Sequence, residues 1–211
     1  MQVILKDEII QKLKEVGLKN GDTVMVHTSL GKMGYVCGGA QAVIEALMEV
    51  VGDSGTIMMP TQSWKNLDPE TGVHWKADQK DWQLIRDNWP AYDKNLTPTN
   101  TMGAVAEMFR QVPGSVRSDH PARSVCAWGR YAEYPGKHTC VEHSAVSEAG
   151  KRVWKAYETL FVDGNDFEKI GEDFEKAYAV PRVRIGNALV RLMYQRELVD
   201  FAVKWMETNR A

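Results

Sequence analysis

The chain has 211 residues, 44% of them hydrophobic, and a formal net charge of −2 at pH 7. This length can bury a sizeable core in one domain, and the nearly neutral balance gives no broad positive field for nucleic acid or an anionic membrane. No stretch is apolar for the length of a membrane-spanning helix, and the first residues lack the apolar core of a signal peptide. We therefore expect one domain over 1–211, with neither nucleic acid nor a membrane as partner. The many Trp and Met residues allow a homodimer.

Cysteine usage narrows the cellular compartment and the chemistry. Cys37, Cys126 and Cys140 lie far apart and without CxxC spacing. This pattern argues against a zinc site and against a disulfide scaffold. We therefore expect a protein of the reducing cytoplasm that holds no metal.

The amino-terminal part predicts a helix and then a βαβ unit. Apolar residues at helical spacing indicate a helix over 8–16, with Asp7 as its N-cap. Short apolar runs at 24–26 and 56–59 predict strands on either side of a helix over 40–51. A right-handed crossover makes these strands parallel and opens the loops after them at one edge of the sheet. Ligand and chemistry are expected at that edge.

Later elements follow in chain order. Residues 62–101, which we call the long segment, are rich in Trp, Pro and Asp and too long for a plain connector, so we expect them to cover a site. A helix over 103–111 and a strand over 124–128 come next. The last third is predicted to be mostly helical, with helices after Asp166 and over 185–193 and 197–207.

The strand, loop and helix over 24–47 are the most informative stretch. Gly31, Gly34, Gly38 and Gly39 let the backbone turn sharply and approach a ligand, and the helix that follows directs N–H groups into the loop. A phosphorylated ligand could bind there. The glycines match neither the GxGxxG fingerprint nor the GxxxxGK[ST] loop, so an ordinary turn between strand and helix stays open as the alternative.

Motifs along nearly the whole chain carry a resemblance to a known family. They are HTSLGKMGYVCGGAQAVIEAL at 27–47, TIMMPTQSW at 56–64, TPTNTMGAVAEMFRQVPGSVRSDHPARS at 97–124, and IGNA, RLM, QR and VDF between Ile185 and Phe201. In this order they resemble the aminoglycoside N3-acetyltransferase family of antibiotic acetyltransferases, in its bacillus-type branch. With the elements above, the resemblance implies an α/β fold: a central mixed, largely parallel sheet flanked by helices in three α/β/α layers, with a helical C-terminal third.

The resemblance also implies the reaction and the cosubstrate. The expected enzyme is an acyltransferase that moves acetyl from acetyl-CoA to an amine, the 3-amino group of a 2-deoxystreptamine aminoglycoside, by direct transfer in a ternary complex. Antibiotic resistance would follow from that reaction. The expected coenzyme contacts are His27, Thr28, Ser29, Leu30, Gly38, Gly39, Ala40, Arg117 and Ser118.

Each of these assignments has a structural alternative. His120, in the loop RSDHPARS (117–124), is the candidate for proton transfer because histidine accepts and releases protons near neutral pH. The alternative is a histidine whose ring bonds to the backbone and fixes the turn before Pro121. Arg117 could equally form a surface ion pair, and His27 could satisfy local carbonyls.

The acceptor amine is assigned to acidic and aromatic side chains. Trp64, Asp87 and Glu107 are the chosen residues, because carboxylates attract a polycation and indole rings stack on sugars. Neighbouring candidates of the same kinds are Trp75, Trp82, Trp89, Asp78 and Asp81. Exposed acids that only aid solubility and tryptophans that only pack a core are the alternatives.

One region departs from the family. Between Trp128 and Val153 the chain lacks a glycine-rich turn, an apolar strand and a polar motif with a histidine that the resemblance implies, and the seam lies at Thr139–Cys140. Either the printed sequence omits a block or the block is deleted. We favour omission, because loss of a central strand would expose apolar faces and open a sheet edge.

Two other functions compete with acetyl transfer. A cysteine-dependent acyl hydrolase would use Cys126 or Cys140 as nucleophile, activated by His120 or His143, although neither cysteine has a nucleophile motif around it. A non-catalytic protein that binds CoA is the other, and a true deletion at the seam would favour it.

Overall fold

The computed structural model describes residues 2–71, 76–129, 141–158 and 166–209. The helices are α1 (Lys6–Glu15), α2 (Leu30–Met33), α3 (Gly39–Val51), α4 (Trp82–Asn88), α5 (Gly103–Phe109), α6 (Phe167–Ala177) and α7 (Gln195–Asn209). The strands are β1 (Val3–Ile4), β2 (Thr23–Met25), β3 (Tyr35–Val36), β4 (Thr56–Pro60), β5 (Val116–Arg117), β6 (Val125–Gly129), β7 (Val141–Glu148), β8 (Lys151–Glu158), β9 (Arg182–Ile185) and β10 (Ala188–Arg191).

The predicted βαβ unit is confirmed. β2 pairs with β4 in parallel, with Val24 opposite Ile57, and α3 connects them. The inner side of α3 is fully in the core, as its apolar spacing predicts: its buried residues include Val43, Ala46, Leu47, Val50 and Val51. Because this side packs against β4 and α1, the helix is held by tertiary contacts rather than by propensity alone.

The first helix is confirmed, but its predicted cap is wrong. α1 has Leu5 at its N-cap position and no side chain caps it. Asp7 is the second residue of the helix, and in this first turn its carboxylate interacts favourably with the positive end of the helix dipole. The helix therefore uses Asp7 as a first-turn charge instead of as a cap.

The main sheet is mixed, and it is less parallel than predicted. Its four strands follow the order β2, β4, β6, β5, and both β4–β6 and β6–β5 are antiparallel. A short loop joins β5 to β6, and such a loop can only return the chain in the opposite direction. Helices α3 and α5 pack against β4 in this α/β arrangement.

The prediction of a mostly helical last third is partly wrong. Helices α6 and α7 form as predicted, but 185–193 belongs largely to the β9–β10 hairpin. Val183 and Ile185 are buried while Arg182 and Arg184 are exposed, which is the period of two that a strand requires. Gly186, with φ at +56°, forms the turn. β7 and β8 add a second hairpin.

None of the described helices has the length and apolar character needed to cross a bilayer. The seam at Thr139–Cys140, together with His74, Trp75 and His138, lies outside the described residues.

The conformation of Gly186 in the hairpin turn predicts the sign of a stability change. Replacing Gly186→Ala should lower the free energy of unfolding by about 1–3 kcal/mol, because the new Cβ would meet the Met33 carbonyl at a positive φ. Gly171→Ala, in the middle of α6 with open space around it, should instead stabilise by up to about 1 kcal/mol. Urea denaturation measures both changes. A stabilising Gly186→Ala would mean that this region is helical.

Candidate functional site

Three strand ends meet at one edge of the main sheet. β2 and β4 are parallel, with Met25 opposite Met58, so the residues after them lie side by side. β6 runs the other way and begins beside the end of β4, with Val125 opposite Pro60. We call this the site edge; its segments are 26–29, 61–63 and 118–124.

The Arg117 side chain lies at the centre of the site edge. It is 5% exposed, and a guanidinium has five N–H donors. The acceptors, at 2.5 to 3.3 Å, are Ser124 Oγ for Nε, the carbonyls of Lys94 and Thr97 for Nη1, and the Thr61 carbonyl and Ser63 Oγ for Nη2. All five donors are therefore used inside the protein, and this geometry does not favour the expected contact with coenzyme phosphates.

Neutral oxygens and an aromatic ring surround this buried charge. The guanidinium carbon of Arg117 lies 5.3 Å from the centre of the Tyr92 ring. Burial lowers the pKa of the Arg117 guanidinium from its ordinary value, while the nearby Tyr92 acts in the opposite direction. Because an arginine pKa starts above 12, the side chain remains charged. Its charge is solvated by carbonyl and hydroxyl dipoles in place of water.

The long segment packs against the RSDHPARS loop. Asn66 is buried; its Nδ2 donates to the Pro121 carbonyl at 2.9 Å and its Oδ1 accepts from Trp89 Nε1 at 3.0 Å. Tyr92 donates from its hydroxyl to the Ser118 carbonyl at 3.0 Å. The segment therefore lies over this loop.

The β7–β8 hairpin holds the other side of the long segment. The Tyr92 amide donates to the Ala145 carbonyl at 2.8 Å. Arg152 Nη1 and Trp154 Nε1 both donate to the Arg86 carbonyl at 2.6 Å, near the end of α4. These donors satisfy a carbonyl that the helix end leaves without an internal partner. The long segment is thus bound on two sides.

His120 has the geometry of the structural alternative. Its Nδ1 accepts from the backbone N–H groups of Ala122 at 3.2 Å and Arg123 at 2.9 Å. A ring nitrogen that accepts two N–H groups carries no proton, so the proton of the neutral ring is on Nε2. Nε2 is then a donor and cannot accept a proton. The geometry accordingly favours a role for His120 in fixing its loop.

The expected coenzyme contacts are spread over the site edge and the start of α3. His27 and Ser29 are exposed, and Thr28 and Leu30 are half-buried. No side chain caps the amino end of α3, where Gly38 has φ at +84° and Gly39 at +57°. Ala40, the next residue of the helix, is buried.

Ser118 is already bonded within the protein. Its Oγ accepts from the Val125 N–H at 3.1 Å, and its own N–H donates to the Val125 carbonyl at 2.9 Å. The residue therefore extends the β5–β6 pairing.

The three residues chosen for the acceptor amine have different surroundings. Trp64 is half-buried, with the Arg123 guanidinium carbon 4.8 Å from its ring centre. Asp87 is exposed, on α4, and accepts from Gln83 Nε2 at 2.9 Å. Glu107 is half-buried on α5. Their acceptor role stays a prediction.

Glu107 is held as a carboxylate. Its Oε1 accepts from Arg110 Nε at 3.0 Å, and its Oε2 accepts from the Thr99 N–H at 2.8 Å. Burial raises the pKa of the Glu107 carboxyl, but these bonds outweigh it and lower the pKa from 4.5 to about 2. Since Arg110 neutralises the charge, Glu107 is a weaker attractor for a cation than its sequence position indicates.

Reasoning from sequence missed three residues that build the site edge. Ser63 and Ser124 are fully buried and share Arg117 as a donor, and Tyr92 lies over it. The signal that could have found Ser63 is its place in the alternation after β4, at the same parity as the buried Ile57 and Met59.

Comparison with known proteins identifies the family. The model of the aminoglycoside 3-N-acetyltransferase family matches residues 25–140 and 131–207. Aminoglycoside N(3)-acetyltransferase IX of Micromonospora chalcea is 38% identical, over 98% of this chain and 94% of its own length. The chain belongs to the aminoglycoside 3-N-acetyltransferase family.

A Bacillus relative agrees in both sequence and structure. The aminoglycoside N(3')-acetyltransferase-like protein YokD of Bacillus subtilis is 34% identical, over 97% of this chain and 93% of its own length. Its crystal structure superposes with a TM-score of 0.89, covering 100% of this chain and 96% of that one. The fold is therefore that of this acetyltransferase family.

The comparison also bears on the seam. The alignment with YokD runs over 252 positions, more than the 211 residues of this chain, so it must contain positions without a counterpart here. The two family matches overlap over 131–140, and this range contains the predicted seam. Omission of the block stays a prediction.

Cys126 lacks the environment of a nucleophile in this family member. It is fully buried in β6, and burial raises the pKa of its thiol from 9.0 to about 11. A thiol with a raised pKa is a poor source of thiolate. Cys37 is exposed, and Cys140 lies outside the described residues. Residues that the structure describes form no cluster of metal-ligating side chains.

The Arg117 network predicts a large loss from a conservative change. Arg117→Lys should lower the free energy of unfolding by about 2–4 kcal/mol, because an ammonium group has three donors for five buried acceptors. The exposed Arg184→Lys should change it by less than about 0.5 kcal/mol. Chemical denaturation compares the two variants. Equal stabilities of the two variants would contradict a structural role for the Arg117 guanidinium.

The ion pair of Glu107 predicts a dependence on pH. The folded pKa is about 2 and the ordinary value 4.5, so its stabilisation is complete above pH 4.5 and is lost as the pH falls towards about 2. The stability difference between the wild type and Glu107→Gln should therefore shrink from pH 6 to pH 3. Arg110→Gln should remove much of the same dependence. A difference that stays constant with pH would contradict this assignment.

Proposed function

We propose that this protein is an acetyl-CoA-dependent N-acetyltransferase that acetylates an amine, with the 3-amino group of a 2-deoxystreptamine aminoglycoside as the expected acceptor. The observation that carries the proposal is the family match over 25–207. The site edge supports it, because three segments with polar side chains converge where this class of fold binds ligands. We further infer that the chain works as one domain, in the cytoplasm, where acetyl-CoA is present.

The start of α3 supports a site for the coenzyme diphosphate. The helix has 13 residues and no side-chain cap, so its first N–H groups and its dipole are available to an anion. A Cβ at Gly38 would come within 3.1 Å of Ala42, at a positive φ, so only glycine suits this close turn. We assign the diphosphate to Gly38, Gly39 and Ala40, with Thr28 and Ser29 nearby on the loop.

The proposed reaction is direct transfer within one complex. The lone pair of the acceptor nitrogen attacks the thioester carbonyl, a C–N bond forms, the C–S bond breaks, and CoA leaves as a thiolate that takes up a proton. A base must remove a proton from the acceptor, and donors must stabilise the oxyanion. Since Nε2 of His120 carries the ring proton, we assign His120 to holding the loop and not to the base.

For the acceptor, Asp87 is a better attractor than Glu107. Asp87 is exposed and its carboxylate accepts from the neutral Gln83, while Arg152 bonds only to its backbone carbonyl; Arg110, in contrast, pairs directly with the Glu107 carboxylate. Trp64 is half-buried and Arg123 lies over one face of its ring, so a cationic sugar would have to use the other face. We therefore propose Asp87 and Trp64 as the first residues to vary for acceptor binding.

A non-catalytic protein that binds CoA is the second candidate, and a true deletion at the Thr139–Cys140 seam would favour it. Both candidates retain the coenzyme loop. They differ only in whether an added amine leads to release of free CoA.

Two measurements separate these functions. Acetyl-CoA at about 100 times its dissociation constant should stabilise the protein by about 2.7 kcal/mol under either candidate, seen as a rise in Tm. Release of CoA thiol in the presence of an aminoglycoside or simpler amine should occur only for the transferase. Cys126→Ala should keep full turnover, because Cys126 is a core residue. Absence of any rise in Tm would refute both candidates, and loss of turnover in Cys126→Ala would favour a cysteine hydrolase.

A further inference from the structure

Thr61, at the site edge directly after β4, has a hydroxyl group without a partner. The residue is fully buried, and its Oγ1 is the one buried side-chain oxygen or nitrogen among the described residues that makes no hydrogen bond. Folded proteins rarely leave such a group unpaired, because water can no longer solvate it. An unpaired hydroxyl of this kind is explained by a ligand that binds next to it, by an enclosed water or by a role in internal structure, and its position favours the first.

The backbone of Thr61 is tightly fixed, so the hydroxyl cannot easily move to find a partner. The Thr61 carbonyl accepts from Arg117 Nη2 at 2.6 Å and from Ser124 Oγ at 2.7 Å. The Thr61 N–H donates to the Ser124 carbonyl at 2.9 Å. Every backbone polar group of the residue is thus satisfied, while the side chain is not.

The direction of the Thr61 side chain follows from the strand that it extends. Pairing with the RSDHPARS loop continues through Ser63, whose N–H donates to the Ala122 carbonyl at 2.7 Å. Ile57, Met59, Thr61 and Ser63 therefore lie on one face, and all four are fully buried. Ile57 and Met59 belong to the core that α3 and α5 cover. Thr61 is the next step of this face, at the site edge.

This position adjoins the proposed coenzyme loop. Met25 is opposite Met58, so Thr28 and Thr61 each lie three residues beyond the same pair. A Cβ at Gly103, where α5 begins, would lie 4.0 Å from the Thr28 carbonyl. The beginning of α5, the loop after β2 and Thr61 therefore surround the same corner of the site edge.

Ser63 provides the contrast. It is as deeply buried as Thr61 and lies on the same face, but its hydroxyl donates to the Pro98 carbonyl and accepts from Arg117 Nη2, both at 2.6 Å. Ser63 serves the internal network. Thr61, two residues earlier, is left out of it.

We propose that the Thr61 hydroxyl donates a hydrogen bond to a carbonyl oxygen of the acyl donor, on its thioester or on its pantetheine amides. This inference rests on the proposed function, because it takes acetyl-CoA as the ligand. The hydroxyl is held in place before binding and has no competing partner, so the bond forms without first breaking another. Thr61 is then a binding residue for the acyl donor.

The test uses Thr61→Val, which keeps the shape and removes the hydroxyl. Without ligand, the variant should melt about 2–4 °C higher than the wild type, because an unsatisfied buried group has been removed. Its affinity for acetyl-CoA, measured by calorimetry, should fall by about tenfold. Thr61→Ser, which keeps a hydroxyl, should retain most of the affinity. Ser63→Ala, the matched control, should lower the Tm.

The outcomes distinguish a failure of the proposed function from a failure of the Thr61 assignment alone. If the wild type does not bind acetyl-CoA, the proposed function fails. If the wild type binds and Thr61→Val binds equally well, or if Thr61→Val melts lower than the wild type, the inference fails alone, and the hydroxyl serves internal structure or an enclosed water. Weakened binding of acetyl-CoA but not of CoA places the bond on the thioester carbonyl. Weakened binding of both places it on a pantetheine amide.

Discussion

The buried guanidinium of Arg117 is the interaction on which the site edge depends. It joins the end of β4, the beginning of β6 and the long segment through five hydrogen bonds to neutral oxygens. Taking a charged group out of water is costly unless every donor finds an acceptor, so each of these segments must take up one geometry. The shape of the site is thereby tied to the stability of the fold.

The same network explains why neighbouring polar side chains have different roles. Ser63 and Ser124 are acceptors for Arg117, and each passes a hydrogen bond on to a backbone carbonyl. Thr61 gives the network its carbonyl but not its hydroxyl. Within the segment 61–63, Ser63 therefore belongs to the internal network, whereas the hydroxyl of Thr61 is left for a ligand. The division follows from which atom of each residue the guanidinium reaches.

The sequence predicted the parts of the fold that local pattern determines. The period of α3 and the apolar runs of β2 and β4 are unambiguous, and their parallel pairing follows from the handedness of the crossover. The pattern over 185–193 predicts a helix where the structure has most of the β9–β10 hairpin, because short apolar stretches fit both periods and the turn at Gly186 interrupts the helical one. The antiparallel direction of β6 depends on long-range pairing that no local pattern contains.

Prediction of the site was limited in a similar way. Family motifs pointed to 27–40 and 117–124, which the structure places at the site edge or at the start of α3. They did not reveal which atoms are already engaged. Arg117, which the motifs assign to the coenzyme, uses all five of its N–H donors inside the protein, and the ring of His120 bonds to its own loop. Such partners lie up to 56 residues apart in the chain, as Arg117 and Thr61 do, and only the folded structure brings them together.

The attachment of the long segment on two sides has a consequence for how molecules reach the site. One side is bonded to the RSDHPARS loop and the other to the β7–β8 hairpin, through Tyr92, Arg152 and Trp154. A loop attached on one side only could move away from the sheet as a lid, whereas the long segment is hydrogen-bonded on two sides. Any opening of the site through this segment must therefore break hydrogen bonds to the loop or to the hairpin, so its attachment ties access to the stability of both elements.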